Sequence, residues 1–107
     1  MMGGFRGGFG GGNMQNMLRQ AQKMQADLAR KNEELAETEL VGVSGGGMVE
    51  VVITGKSVIK AVRIKKEAVD PDDVEMLEDL IMAAINDAQS KAEDLSKEVL
   101  GPLGSAF

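Results

Sequence analysis

Met48-Val49-Glu50-Val51-Val52-Ile53-Thr54, then Gly55-Lys56-Ser57, then Val58-Ile59-Lys60-Ala61-Val62-Arg63-Ile64: this stretch decides the fold. Both flanking runs are dense in β-branched residues, and the link between them carries a glycine at the place where a hairpin turns back. Upstream, Leu40-Val41-Gly42-Val43-Ser44 reads as a weaker strand, joined to the next by Gly45-Gly46-Gly47. Links this short exclude parallel pairing, whose return crossover needs roughly a dozen residues or more. The expected sheet is therefore a three-stranded antiparallel meander. Val49, Val51 and Ile53 fall on one side of the middle strand and Met48, Glu50, Val52 and Thr54 on the other, while Val58, Val62 and Ile64 alternate with Ile59, Ala61 and Arg63. Neither side is cleanly polar, so each is expected to meet apolar surface. The chain's own helices cover one, and the side with Met48, Val52, Ile59 and Ala61 is assigned to a second copy of the chain. The plainer alternative is a scatter of apolar residues over a solvated face.

Helical spacing flanks the sheet. From Asn13, a suitable N-cap, to about Glu37, the residues Met14, Met17, Ala21, Met24, Leu28 and Leu35 recur in steps of three and four, interrupted by Lys31. Arg19, Lys23 and Arg30 lie within about 40° of one another nearly opposite that stripe. After the sheet, Val69-Asp70-Pro71-Asp72-Asp73-Val74 announces a helix start: Asp70 as the cap, Pro71 in the first turn, and carboxylates where the helix dipole is positive. Adjacent carboxylates in this position cap a helix, so no metal site is read here. The second helix is expected from Pro71 to about Leu100, where Gly101-Pro102 stops it. Its apolar face is Val74, Leu77, Ile81, Ala84, Ile85, Ala88, Ala92, Leu95 and Val99, with Ala83, Ala84 and Ala88 small enough to admit another helix closely.

These elements define an α+β domain of order α-β-β-β-α over residues 13–101, dimerising through its sheet. Residues 1–12 (MMGGFRGGFGGG) are too glycine-rich to offset their ordering entropy and are expected to form a disordered tail; residues 102–107 are a loose end. With 107 residues there is room for one domain, and oligomerisation would help so modest a core.

Composition narrows the chemistry. The chain has no cysteine and no histidine, which removes disulfides, thiolate nucleophiles, imidazole bases and the usual zinc sites. No apolar run approaches the ~20 residues of a membrane span, and no hydrophobic signal segment is expected at the start. No cofactor and no small-molecule substrate is anticipated. The net charge of −5 speaks against a polyanion partner until its distribution is read. Residues 1–37 carry five basic and four acidic side chains, residues 38–68 five and three, and residues 69–107 two and ten. The last third thus holds net −8 and the remainder is mildly basic.

Three stretches together carry a resemblance: Met17-Leu18-Arg19-Gln20-Ala21-Gln22-Lys23-Met24-Gln25 in the first helix; Gly46-Gly47-Met48-Val49-Glu50-Val51 with Gly55 and Val62-Arg63-Ile64 in the sheet; and residues 72–87 (DDVEMLEDLIMAAIND) opening the second helix. In this combination the chain resembles the YbaB/EbfC family of bacterial nucleoid-associated proteins over essentially its whole length. The resemblance implies a homodimer whose sheets associate while helices project like tweezers. It also implies binding of double-stranded DNA with a change in its shape, in the cytoplasm on the nucleoid. The contacts themselves follow from charge placement: Arg19, Lys23, Arg30 and Lys31 on the first helix, or Lys56, Lys60, Arg63, Lys65 and Lys66, five cations in eleven residues along the hairpin. Lysines guarding a strand edge are the structural alternative for the second group. A non-enzymatic, homodimeric protein-interaction scaffold without nucleic-acid binding is the competing function, carried by the acidic second helix or by Met14, Met17 and Met24.

Overall fold

A computed structural model describes residues 2–101, with side chains from residue 13 onward. The order of elements is α1 (Met2–Glu37), β1 (Glu39–Ser44), a 3₁₀ turn (Gly45–Gly47), β2 (Val49–Thr54), β3 (Ile59–Ile64), a second 3₁₀ turn (Lys66–Ala68) and α2 (Val74–Leu100). The helix–three strands–helix architecture is that expected, and the sheet runs β1-β2-β3 with both pairings antiparallel. By packing, the chain divides into two units, residues 1–30 and 31–107.

The start of α1 is a correction: it lies at Met2, before the expected Asn13 cap. The side chains of residues 1–12 are outside the described ones, so a tail that contributes nothing to stability stands as a proposal with its own test below. The expected loose end at residues 102–107 is also outside the described residues.

The core of the second unit lies between α2 and one face of the sheet. Val49, Val51 and Ile53 of β2 are fully buried against Ala84, Ala88 and Ala92, with Leu40, Leu77, Leu80, Ile81 and Ile85 packed around them. The alanine spacing of four places one small residue per turn on the inner stripe. Its partner corrects the expected helix–helix approach: α2 descends onto the sheet at Gly42, where a Cβ would overlap the Ala88 amide nitrogen and fall 2.5 Å from the Ala84 carbonyl oxygen. A glycine below and alanines above let two backbones meet. Ser44 Oγ, also on this face, donates to the Leu80 carbonyl oxygen at 2.5 Å.

Two turns set the meander. In the first, Gly45, Gly46 and Gly47 all take positive φ (58°, 68° and 96°), a run that side chains would strain. In the second, buried Thr54 organises the reversal: its Oγ1 accepts from the Lys56 and Val58 amides, each at 3.2 Å, and its carbonyl oxygen accepts from the Ser57 amide at 2.9 Å. Ser57 sits at φ 65°, the left-handed position that closes a three-residue hairpin loop. The last turns of α1 bear on this hairpin. The Gly55 amide donates to the Leu35 carbonyl oxygen at 2.9 Å, and Leu35 is 1% exposed.

The start of α2 also departs from expectation. Asp70 Oδ1 accepts from the Asp72 amide at 3.0 Å, which ties residues 70–73 into a turn and leaves Asp73 to cap the helix by accepting from the Met76 amide at 3.1 Å. The C-terminal stop is as read: Gly101, at φ 61°, donates its amide to the Lys97 carbonyl oxygen at 2.8 Å.

Candidate nucleic-acid interface

Phosphate recognition needs cations that are exposed and not already neutralised. In the first unit, Arg19 and Lys23 are exposed on α1 and, among the described residues, neither makes an ion pair within 4.0 Å. Arg30, on the same stripe, shares its charge with Asp27 at 3.4 Å. Lys31, in the second unit, is half-buried.

The hairpin group is spread out by the fold. Lys56 lies in the turn, where its Nζ donates to Asn32 Oδ1 at 2.8 Å and fastens the hairpin to the end of α1. Arg63 projects beside Glu50 on the neighbouring strand, 4.0 Å away. Lys60, Lys65 and Lys66 are exposed and, among the described residues, free of ion pairs. A strand rises about 3.3 Å per residue, so Lys56 and Lys65 stand at opposite ends of an edge strand some ~20 Å long. Five cations close in sequence are therefore strung out from the turn before β3 to the 3₁₀ turn after it, three of them free of ion pairs among the described residues.

The candidates for the dimer interface divide in the same way. Val52 and Ala61 face each other across β2 and β3, on the side away from α2. Ile59 does not join them. The register shifts between Val52 and Ile53, so Ile59 pairs with Ile53 and falls on the α2 side. A bulge of this kind moves a side chain from one face to the other, and strict alternation along one strand could not reveal it. Met48 is half-buried at the exit of the glycine turn. Val52 is only 7% exposed within the single chain, whereas Val41 and Val43 of β1, on the same side of the sheet, are 42% and 41% exposed. Those two valines were missed because β1 is broken by Gly42 and reads as a weak strand. α2 packs against β1 and β2, and on its side of the sheet Ile59, Val62 and Ile64 of β3 remain largely exposed.

A long helix bearing a basic stripe, with Arg19 and Lys23 free of ion pairs among the described residues, followed by a three-stranded meander and an acidic closing helix, defines a small α+β nucleic-acid-binding class. The YbaB/EbfC DNA-binding family matches residues 10–107, and the chain belongs to it. It is 50% identical over 101 residues to a nucleoid-associated protein of Clostridium botulinum, covering 94% of this chain and 89% of that one. To a nucleoid-associated protein of Acetivibrio thermocellus it is 55% identical over 92 residues (84% and 81%), and to one of Streptomyces griseus 52% over 100 residues (92% and 88%). Among solved structures, an uncharacterized protein from Helicobacter pylori shares the fold, with a TM-score of 0.71 at 23% identity over 81% of this chain and 91% of that one. No helix among the described residues is long and apolar enough to cross a membrane.

Proposed function

We propose that this chain is a nucleoid-associated protein that binds double-stranded DNA through its phosphates, with little sequence preference, and alters the conformation of the duplex. It acts as a homodimer on the nucleoid in the cytoplasm and carries out no catalysis. The observation that supports this reading most directly is the set of exposed cations without ion pairs among the described residues: Arg19 and Lys23 on α1, Lys60 on β3, and Lys65 and Lys66 just after it. These stand in a chain that confines net −8 to residues 69–107. Contacts from lysine and arginine to phosphate position a protein without reading bases, and shape then supplies whatever preference exists. The dimer is supported by the side of the sheet away from α2, where Val41 and Val43 lie exposed beside Val52 and Ala61.

Gel shifts of the purified protein on unrelated duplexes at several salt concentrations test the reading. Binding of similar strength on each duplex, falling linearly on a double-logarithmic salt plot, is the expected result; absence of binding at low salt overturns it. One observation favours a protein-binding scaffold as the second reading: Met14, Met17, Leu18 and Met24 are each about 60% exposed on α1. That reading predicts no salt-dependent affinity for DNA.

A further inference from the structure

The outer edge of β1 is occupied by side chains of α2. The Val43 amide donates to Asp87 Oδ2 at 2.9 Å, and Lys91 Nζ donates to the Val41 carbonyl oxygen at 2.9 Å. Residues two apart in a strand present their amide and carbonyl to the same long side. Val41 and Val43 therefore offer these groups on the side away from β2. Asp87 and Lys91 stand one turn apart on α2 and are 3.2 Å from each other. One carboxylate and one ammonium thus take the donor and the acceptor that an incoming strand would use first.

Solvent could satisfy both backbone groups equally well. The Asp87 and Lys91 side chains are 38% and 46% exposed, and an ion pair at such a surface adds little to stability. What water cannot do is exclude another strand. A sheet edge with free amides and carbonyls, flanked by exposed Val41 and Val43, is a template for pairing with another polypeptide. The opposite edge, β3, carries different protection, a bulge opposite Ile53 and the charge of Lys60.

We propose that the Asp87–Lys91 pair is an edge lock, closing β1 against strand addition by a second copy of this chain. The lock is independent of DNA binding, since neither residue belongs to the basic rows. Its first test is amide exchange in the full-length protein. The Val43 amide exchanges slowly although it lies on a sheet edge, and roughly tenfold faster in Asp87→Ala. Rapid exchange in the unaltered protein overturns the proposal.

The second test is light scattering on size-exclusion fractions over a range of concentrations. Asp87→Ala/Lys91→Ala, folded by circular dichroism, forms assemblies larger than those of the parent. Adding Val43→Pro, which deletes the outward donor of an edge strand, returns it to the parental size. A double variant indistinguishable in size from the parent overturns the lock. So does association that persists with Val43→Pro, because it then arises from general destabilisation. Should the double variant unfold, Lys91→Met alone, with Asp87 still on Val43, reads the same comparison at a half-open edge.

Discussion

Gly42 lies so close beneath Ala88 that a Cβ on the glycine would overlap the alanine's amide nitrogen. Both partners at that crossing are backbone, so neither can swing aside. The approach of α2 to the sheet is fixed at this point, and the Asp87–Lys91 reach over the edge of β1 depends on it. Gly42→Ala is expected to destabilise the fold by about 3 kcal/mol, at the upper end of the cost of overpacking, measured by urea denaturation. Gly46→Ala makes the contrast: nothing lies within 4 Å of its Cβ, and only its φ of 68° resists, at roughly 1–2 kcal/mol.

The helix cap gives a second expectation. Asp73→Ala removes the carboxylate that accepts from the Met76 amide and should cost about 1 kcal/mol. DNA affinity per folded molecule should not change, because Asp73 belongs to neither basic row. A gel shift at matched folded concentration checks the second half of the statement.

Acid should loosen the edge of β1. The Val43 amide first, and then the Lys91 hydrogen bond, hold the Asp87 carboxyl below its ordinary value, against an opposing pull from desolvation. A carboxyl lowered in the folded state stabilises the fold above its unfolded value, near 3.9. That contribution disappears as pH falls through the lower folded value. Asp87→Asn is therefore expected to be less stable than the parent at neutral pH, with the difference shrinking only once the pH falls below the ordinary carboxyl value and vanishing below the lower folded one. Thermal melts across that range decide the matter.

The two basic rows can be separated by charge removal. Replacing Arg19, Lys23 and Arg30 by glutamine should weaken binding on all duplexes alike and lower the logarithmic salt slope by about 0.9 for each phosphate no longer neutralised. Replacing Lys60 of β3 together with Lys65 and Lys66, just beyond its end, is the matched comparison. If one triple alone alters the slope, that row touches the phosphates. If neither does, the DNA-binding reading fails.

Removal of residues 1–12 should leave the thermal transition nearly unchanged, since seven glycines in twelve residues offer little to bury. A drop of several degrees in a melting curve would show that Phe5 or Phe9 supports the body.

Legibility in the sequence followed the range of each signal. Val49, Val51 and Ile53 declared the buried face through their own period of two, and Gly101 declared the end of α2, because one strand or one turn carries the whole cue. Asp70 to Asp73 marked a helix start, yet two aspartates competed for the cap. Asp70 lost it by bonding the Asp72 amide. What stayed hidden depends on two segments meeting. The register shift that turns Ile59 toward Ile53 is a property of the β2–β3 pair. The close fit of Gly42 to Ala88 joins residues that no local pattern links. The basic candidates show the same limit: Lys56 to Lys66 are dense along the chain, but an extended strand separates them, and Asn32 and Glu50 engage two of the five.

The order of the sheet has a kinetic consequence. Each strand pairs with its neighbour in the chain, through links of only a few residues. Loops that short close in well under a microsecond, and a hairpin zips in about 1–10 μs. The distant encounter in the core is the return of α2 to β1 and β2, which sets its alanines on Val49, Val51 and Ile53 and brings Ala88 over Gly42. Pairing of the strands is thus a local event, and the rate of folding is governed by how long the second helix takes to land. Until it lands, β1 waits with its outer edge unguarded.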